Sequence, residues 1–254
     1  MKSFMFIVIM GLLALSLFTT NATYAELPKD IVFLMTFDEG KGDKIADLSG
    51  NQNNGEIVGK VNWVKGKYND GLHFDGSTHV MVPNAPPLEK LTHPMSAGAW
   101  VNPDSLGGWR VIVEMDGGAG WKLGFNNQTS VWTTYHVKDF TGQTVLPTEK
   151  WVHVAATWDG KEAVIYIDGE EDKGGPIAGG GVIDVKNEPS LDLGCRSTSG
   201  VSCFIGVMDE VWVSNEVKTQ KEIQQFMDGF EVLLAVDSND KIASIWGRIK
   251  SALD

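Results

Sequence analysis

The segment WVHVAATWDGKEAVIYIDGE, residues 151–170, constrains the fold of this chain more than any other. Two runs rich in Val, Ile, Ala and aromatic residues flank Asp159-Gly160, and Asp168-Gly169 follows the second run. Asp-Gly is a pair that type I′ hairpin turns select, because both residues tolerate the positive φ that the turn demands. An antiparallel hairpin turning at Asp159-Gly160 is therefore expected. Similar short runs recur at 31–37, 71–76, 79–83, 96–103, 109–115, 121–126, 130–137, 190–195 and 204–215, most of them bounded by Gly, Pro, Asn or Asp. Strands at this spacing, with no helical stretches of about 12 residues between them, exclude a parallel α/β sheet and predict an antiparallel sandwich or barrel. One helix is predicted over 214–229, where Val217, Ile223, Phe226 and Met227 share a face ahead of Gly229.

The ends of the chain read differently. Residues 1–25 carry Lys2, an apolar run from Phe4 to Phe18, and the small residues Thr23 and Ala25. That run is shorter than the roughly 20 residues a spanning helix needs, which identifies a signal peptide, with an uncleaved anchor as the alternative. The mature chain is then expected to start near Glu26, to lack an integral membrane segment and to be secreted, periplasmic or held at the cell surface. Residues 26–229 read as one domain and 230–254 as a C-terminal extension. The net charge of −12 disfavours nucleic acid as a partner and leaves carboxylates for a hard cation. Cys195 and Cys203 flank a Ser/Thr/Gly-rich turn in LGCRSTSGVSCF, and an exported chain favours a disulfide there over two free thiols.

Two adjacent acids interrupt the strand-like run FIGVMDEVWVSN, residues 204–215. In a regular strand successive side chains point to opposite faces, so Asp209 and Glu210 are not expected to act on one glycosidic bond. Glu210 is expected to pair with a Lys or Arg at the sheet surface. The five histidines are scattered, and His153, among apolar neighbours, reads as structural. Tyr135-His136 could form a lyase-type pair only if adjacent strand residues converged.

Three segments together resemble the bacterial laminin-G-like, concanavalin A-like family: FDEGKGDKIADLSGNQNNGEI (37–57), KWVHVAATWDGKEAVIYIDGE (150–170) and FIGVMDEVWVSNEVKTQKEIQQFM (204–227). YNDGLHFDGSTHVMVP (68–83) also fits its pattern. The resemblance implies an all-β, two-sheet antiparallel jelly-roll sandwich with a short helix after the closing strand. It also implies a structural Ca²⁺ tying the first strand's loop to the closing strand. The positions that carry over as ligands are Asp38 and Asp209, the latter with a hydrogen bond to a neighbouring loop's backbone as its alternative role, and Asp47 is a third whose alternative role is to cap its own turn.

Sugar sites place aromatic rings beside hydrogen-bonding side chains. Trp109, Arg110, Trp121, Asn126, Trp132 and Tyr135 form the candidate ligand-binding set, with Trp109 and Trp132 expected to be the exposed rings. The alternative for each Trp is a place in the core. The favoured function is a non-catalytic module binding an extracellular glycan or other partner. A glycoside hydrolase or polysaccharide lyase on the same fold and a protein-binding adhesive module are the alternatives.

Overall fold

The computed structural model describes residues 27–83, 88, 95–115, 120–134, 137–181, 183, 190–196 and 200–231. Residues 1–25, Tyr135, His136 and the chain after 231 lie outside the described residues. The strands, in order, are β1 (Ile31–Met35), β2 (Lys44–Ile45), β3 (Gly55–Val58), β4 (Trp63–Lys65), β5 (Asp70–Asp75) and β6 (His79–Val82). There follow β7 (Met95–Pro103), β8 (Trp109–Met115), β9 (Trp121–Asn126), β10 (Thr129–Thr134), β11 (Lys138–Val145) and β12 (Val152–Trp158). The last are β13 (Glu162–Ile167), β14 (Glu170–Glu171), β15 (Ile177–Ala178), β16 (Leu191–Leu193) and β17 (Ile205–Ser214), then helix α1 (Gln220–Phe226).

All strand pairs are antiparallel and form two sheets. The first runs β14-β13-β12-β7-β17-β5-β4, with β1 also on β17 and β15 on β13. The second runs β11-β10-β9-β8-β16-β6-β3-β2. Between them lies one apolar core that includes Phe33, Phe74, Val101, Leu123, Phe125, Trp132, Trp158 and Val211. This is the jelly-roll sandwich that the resemblance predicts, and it falls within the sandwich-or-barrel class that the strand spacing predicts.

The centre of the first sheet is buried on both faces, which explains why β12 shows no polar alternation. Its outer side carries a second cluster in which Ile31, Leu34, Ala155 and Trp212 pack beneath Ile223, Phe226 and Phe230. Helix α1 starts at Thr219, whose hydroxyl accepts from the Glu222 amide while the Glu222 carboxylate accepts from the Thr219 amide. This reciprocal cap satisfies two amides that the first turn leaves without helical partners. The helix is shorter than predicted, and Val217 is exposed ahead of it. The domain also reaches past residue 229, because Phe230 is wholly buried in the outer cluster.

The predicted hairpin is present, but the turn types differ from expectation. Gly160 has φ of 92°, whereas Asp159 keeps a negative φ and its carboxylate accepts from the amides of Lys161 and Glu162. A three-residue connection results. Asp168 and Gly169 both take positive φ between the register partners Ile167 and Glu170, so the type I′ turn is the second one. Strand β11 went unseen in the sequence because KDFTGQTV is largely polar, as befits an edge strand.

Cys195 and Cys203 are joined, closing a loop with a sequence separation of 8 beside β16 and β17. Loop-closure entropy for a ring of that size is about 2.5 kcal/mol. The double variant Cys195→Ser/Cys203→Ser is expected to melt roughly 5–10 °C lower in calorimetry. An unchanged melting temperature would show that the loop is fixed without the bond.

Candidate functional site

Two places on the sandwich gather polar chemistry. The first lies on β17, where a register shift separates Asp209, opposite Trp100, from Trp212, opposite Gly98. Two residues of β17 thus oppose one of β7, and Glu210 takes φ of 52°. This is a β-bulge, and it cancels the alternation on which the sequence argument relied. Met208, Val211 and Val213 face the core while Trp212 faces the outer cluster, so Asp209 and Glu210 both turn outward. The other edge of β17 explains the location. Residues 205–208 pair with β5 and residues 211–214 with β1, leaving the two acids at the junction.

Neither acid reaches a surface cation. Asp209 is 0% and Glu210 1% exposed. One Asp209 oxygen accepts from the Tyr68 amide at 2.9 Å, and its Oδ1 has no hydrogen-bond partner. Glu210 accepts from the Phe230 amide at 2.9 Å, not from a Lys or Arg as expected. Burial, then repulsion from Glu210, pushes the Asp209 carboxyl up to about 9. Burial likewise pushes Glu210 up to about 8, with Asp38 and Glu231 adding to it. Asp38 joins the same field. It is raised by burial and accepts from the Asp70 amide at 3.3 Å, in the turn that also serves Asp209. Gly66 is required in that turn, because a Cβ there would come within 2.6 Å of Asp209 Oδ2.

Asp38 and Asp209 are thus brought together, and Asp47 is engaged elsewhere. Its Oδ1 accepts from the amides of Leu34 and Ser49, and its Oδ2 from the Ser49 hydroxyl and the Asn53 amide. That is the turn-capping role. As for a metal, the junction offers only hard oxygen donors, one of them buried and without a partner, which fits Ca²⁺ by donor type. Among the described residues no three His, Cys, Asp or Glu side chains are spaced as a metal cluster. A calcium shell here would therefore combine Asp38 and Asp209 with backbone carbonyls.

The second place is the outward face of the second sheet. Trp121, Leu123, Trp132, Phe140, Val113 and Leu193 point into the core, so the residues between them point out. Register then lines up Asp139, Thr133, Lys122, Glu114 and Asp192 across five strands. A cavity of about 430 Å³ opens on this row, lined by Trp109, Lys122, Thr133, Asp139, Arg196 and Ser202 among others. The Lys122 ammonium sits 4.2 Å from the Trp109 ring centroid, and burial brings its pKa down to about 8. Arg196 Nε lies 2.9 Å from Glu114, and the Thr133 hydroxyl donates to Asp139 at 2.7 Å. A second cavity of about 510 Å³ lies beside Asn126, Asn127, Gln128 and Thr141.

Of the candidate ligand-binding residues, Trp109 and Asn126 line these cavities. Arg110 turns back on its own strand, donating to the Trp109 carbonyl at 2.9 Å. Trp121 and Trp132 do not reach a ligand. Both are 0% exposed and stack with centroids 5.2 Å apart. The expectation that Trp132 is exposed fails because it shares the inward face with its register partner Leu123. Tyr135 lies outside the described residues. Lys122, Thr133, Asp139, Arg196 and Ser202 were missed, although the alternation of WKLGFN does set Lys122 opposite Trp121 and Leu123.

Comparison with known proteins agrees with the architecture. The structure is similar to domain 4 of AbnA, a GH43 extracellular arabinanase from Geobacillus stearothermophilus, seen in complex with arabinotriose. The TM-score is 0.61 and the identity 17%, over 80% of this chain and 98% of that one. It is also similar to the binding domain of Paraclostridial Mosquitocidal Protein 1, with a TM-score of 0.63 and 18% identity over 79% of this chain. The binding domain of botulinum neurotoxin DC, in complex with rat synaptotagmin II, gives a TM-score of 0.57 and 14% identity over 78% of this chain. The matches cover 52% and 51% of those two chains, so this chain spans about half their length. The sequence matches no curated protein. Residues 74–224, more than half of the chain, match the laminin-G family model described as the concanavalin A-like lectin/glucanases superfamily, and it is to that superfamily that the chain belongs.

Proposed function

We propose that this chain is an exported, non-catalytic module that binds carbohydrate on the outward face of β8–β11 and holds a structural Ca²⁺ between Asp38 and Asp209. One observation carries the carbohydrate reading. The half-buried Trp109 is steadied by the Lys122 ammonium beside a cavity whose other walls, Val137 apart, are hydrogen-bonding side chains. An aromatic wall among fixed donors and acceptors suits a sugar, which presents an apolar ring face and many hydroxyls. The arabinotriose complex of the arabinanase domain supports the same ligand class. The disulfide and the signal-like segment 1–25 support export. The ion would neutralise the buried acids and tie the loop after β1 to β17.

A glycan array with the mature protein, run with and without a chelator, tests this. Trp109→Ala is expected to weaken the best glycan by roughly 30-fold, as removal of an anchoring aromatic does, with the melting temperature little changed. Silence on every glycan would overturn the carbohydrate reading and favour a protein partner.

A second, enzymatic reading has one observation behind it. Glu114 and Asp192 are register partners on β8 and β16, which sets their Cβ atoms roughly 4.5–5.5 Å apart, near the spacing of a retaining glycosidase pair. Against it, both are 0% exposed and Glu114 is bound by Arg196. Reducing ends released by the protein and lost in Glu114→Gln would establish the enzyme instead.

A further inference from the structure

We propose that Ca²⁺ at the Asp38–Asp209 junction controls how firmly residues 227–231 are held to the sandwich, with Tyr68 as the link between the two. This rests on the calcium reading above and adds a conformational consequence to it. Residues 227–231 follow α1 and form a strap on the outer side of the first sheet, where Phe230 is wholly buried. Four side chains at the junction hold the strap. The Tyr68 hydroxyl and Trp100 Nε1 both donate to the Met227 carbonyl, the latter at 3.1 Å. Glu210 accepts from the Phe230 amide, and the Asn69 side-chain amide donates to Glu231 at 3.1 Å. The same residues surround the two proposed ligands. Trp100 is the register partner of Asp209, the Tyr68 amide donates to Asp209, and Asn69 precedes Asp70, whose amide donates to Asp38. Tyr68 is the most direct link. Asp209 holds its backbone amide, the strap holds its hydroxyl, and its ring lies against Gly229, where a Cβ would come within 3.1 Å of the ring.

The coupling follows from charge and burial. Asp209 and Glu210 are buried side by side, so any motion that admits water to them is electrostatically favoured. The strap is the part free to make that motion. It touches Glu210 directly and Asp209 through Tyr68, and it belongs to neither sheet. Strand β17 itself is bonded along both edges, to β7 on one side and to β5 and β1 on the other. Lifting the strap hydrates the acids, but it exposes Phe230 and breaks its hydrogen bonds. A bound cation removes the electrostatic gain from lifting and leaves the cost of exposing Phe230 unchanged. The ion therefore favours the closed strap, and by linkage the closed strap favours the ion.

Hydrogen exchange read by mass spectrometry tests this on the mature protein, with saturating Ca²⁺ and after exhaustive chelation, well below the melting temperature. Exchange across 220–231 is expected to slow at least about tenfold with Ca²⁺, while exchange across β9 of the other sheet changes little. Tyr68→Phe keeps the amide that Asp209 accepts and removes only the hydroxyl that reaches Met227. In this variant Ca²⁺ is expected still to raise the melting temperature, but the slowing across 220–231 is expected to shrink to about threefold or less. The melting temperature of the chelated variant checks that the fold is kept. Exchange across 220–231 that ignores Ca²⁺, that slows no more than exchange across β9, or that slows in Tyr68→Phe as in the parent would overturn the clamp. The calcium site would still stand on a melting temperature that responds to the ion. A melting temperature indifferent to Ca²⁺ would overturn the calcium reading itself, and the clamp with it.

Discussion

Saturating Ca²⁺ is expected to raise the melting temperature of the exhaustively chelated protein by roughly 8–16 °C. An ion bound only by the folded state adds about 4 kcal/mol at a thousand times its dissociation constant, and each kcal/mol moves a domain of this size by about 2–4 °C. The physical reason is the cost of the junction without a cation. Asp209 and Glu210 are buried next to each other with the half-buried Asp38 in their field, and the carboxyls of Asp209 and Glu210 are pushed up to about 9 and 8. Groups raised in this way bind protons in the folded state that the unfolded chain has already released. Stability of the chelated protein is therefore expected to fall as pH rises from 6.5 towards 9. Below 6.5 the wholly buried His153, brought down to about 3 chiefly by burial, acts in the opposite sense, because the unfolded chain then binds the extra proton. Asp209→Asn keeps an acceptor for the Tyr68 amide and removes a charge. It is expected to abolish the response to Ca²⁺ and, without the ion, to melt above the parent at pH 8. Differential scanning calorimetry of both proteins decides the matter. A melting temperature indifferent to Ca²⁺, or a variant that responds as the parent does, would sink the calcium site.

Much of the fold is legible in the sequence because its devices are local. WRVIVEM and WKLGFN coincide with β8 and β9, and Thr219 with Glu222 marks the helix start that the coarser periodicity blurred. What hid the acid junction is a non-local event. The bulge at Asp209–Glu210 arises where β17 changes partners from β5 to β1, and no window of sequence around it records that change. Strict alternation separated the acids on paper, and a single extra residue put them on one face. The cavity on the second sheet was hidden for a different reason. Its members come from β8, β9, β10, β11 and the disulfide loop, and only register brings Lys122, Thr133 and Asp139 into one row. Trp109 and Asn126 were legible one by one as aromatic and amide groups, but the buried Trp121 and Trp132 looked the same. Composition names candidate rings, and strand parity sorts them.

That sorting makes a second large effect testable. Trp132→Ala is expected to cost about 3–5 kcal/mol of stability, a fall of roughly 6–20 °C in melting temperature. Trp132 is wholly buried, stacks on Trp121 with planes 15° apart, and lies in the core with Leu123 and Phe140. Truncating it leaves a cavity that rigid β10 cannot collapse to fill. The indole Nε1 of Trp132 has no hydrogen-bond partner, so Trp132→Phe gives up no polar contact and is expected to cost much less, about 1.5 kcal/mol or below. Trp109→Ala supplies the contrast, since its ring packs under Lys122 beside the cavity and not in the core. Stability and glycan affinity should therefore separate: the first falls in Trp132→Ala, the second in Trp109→Ala. If Trp132→Ala kept its melting temperature and lost binding, the parity that sets Trp132 inward and Lys122 outward would be reversed, and the carbohydrate site on that face would go with it.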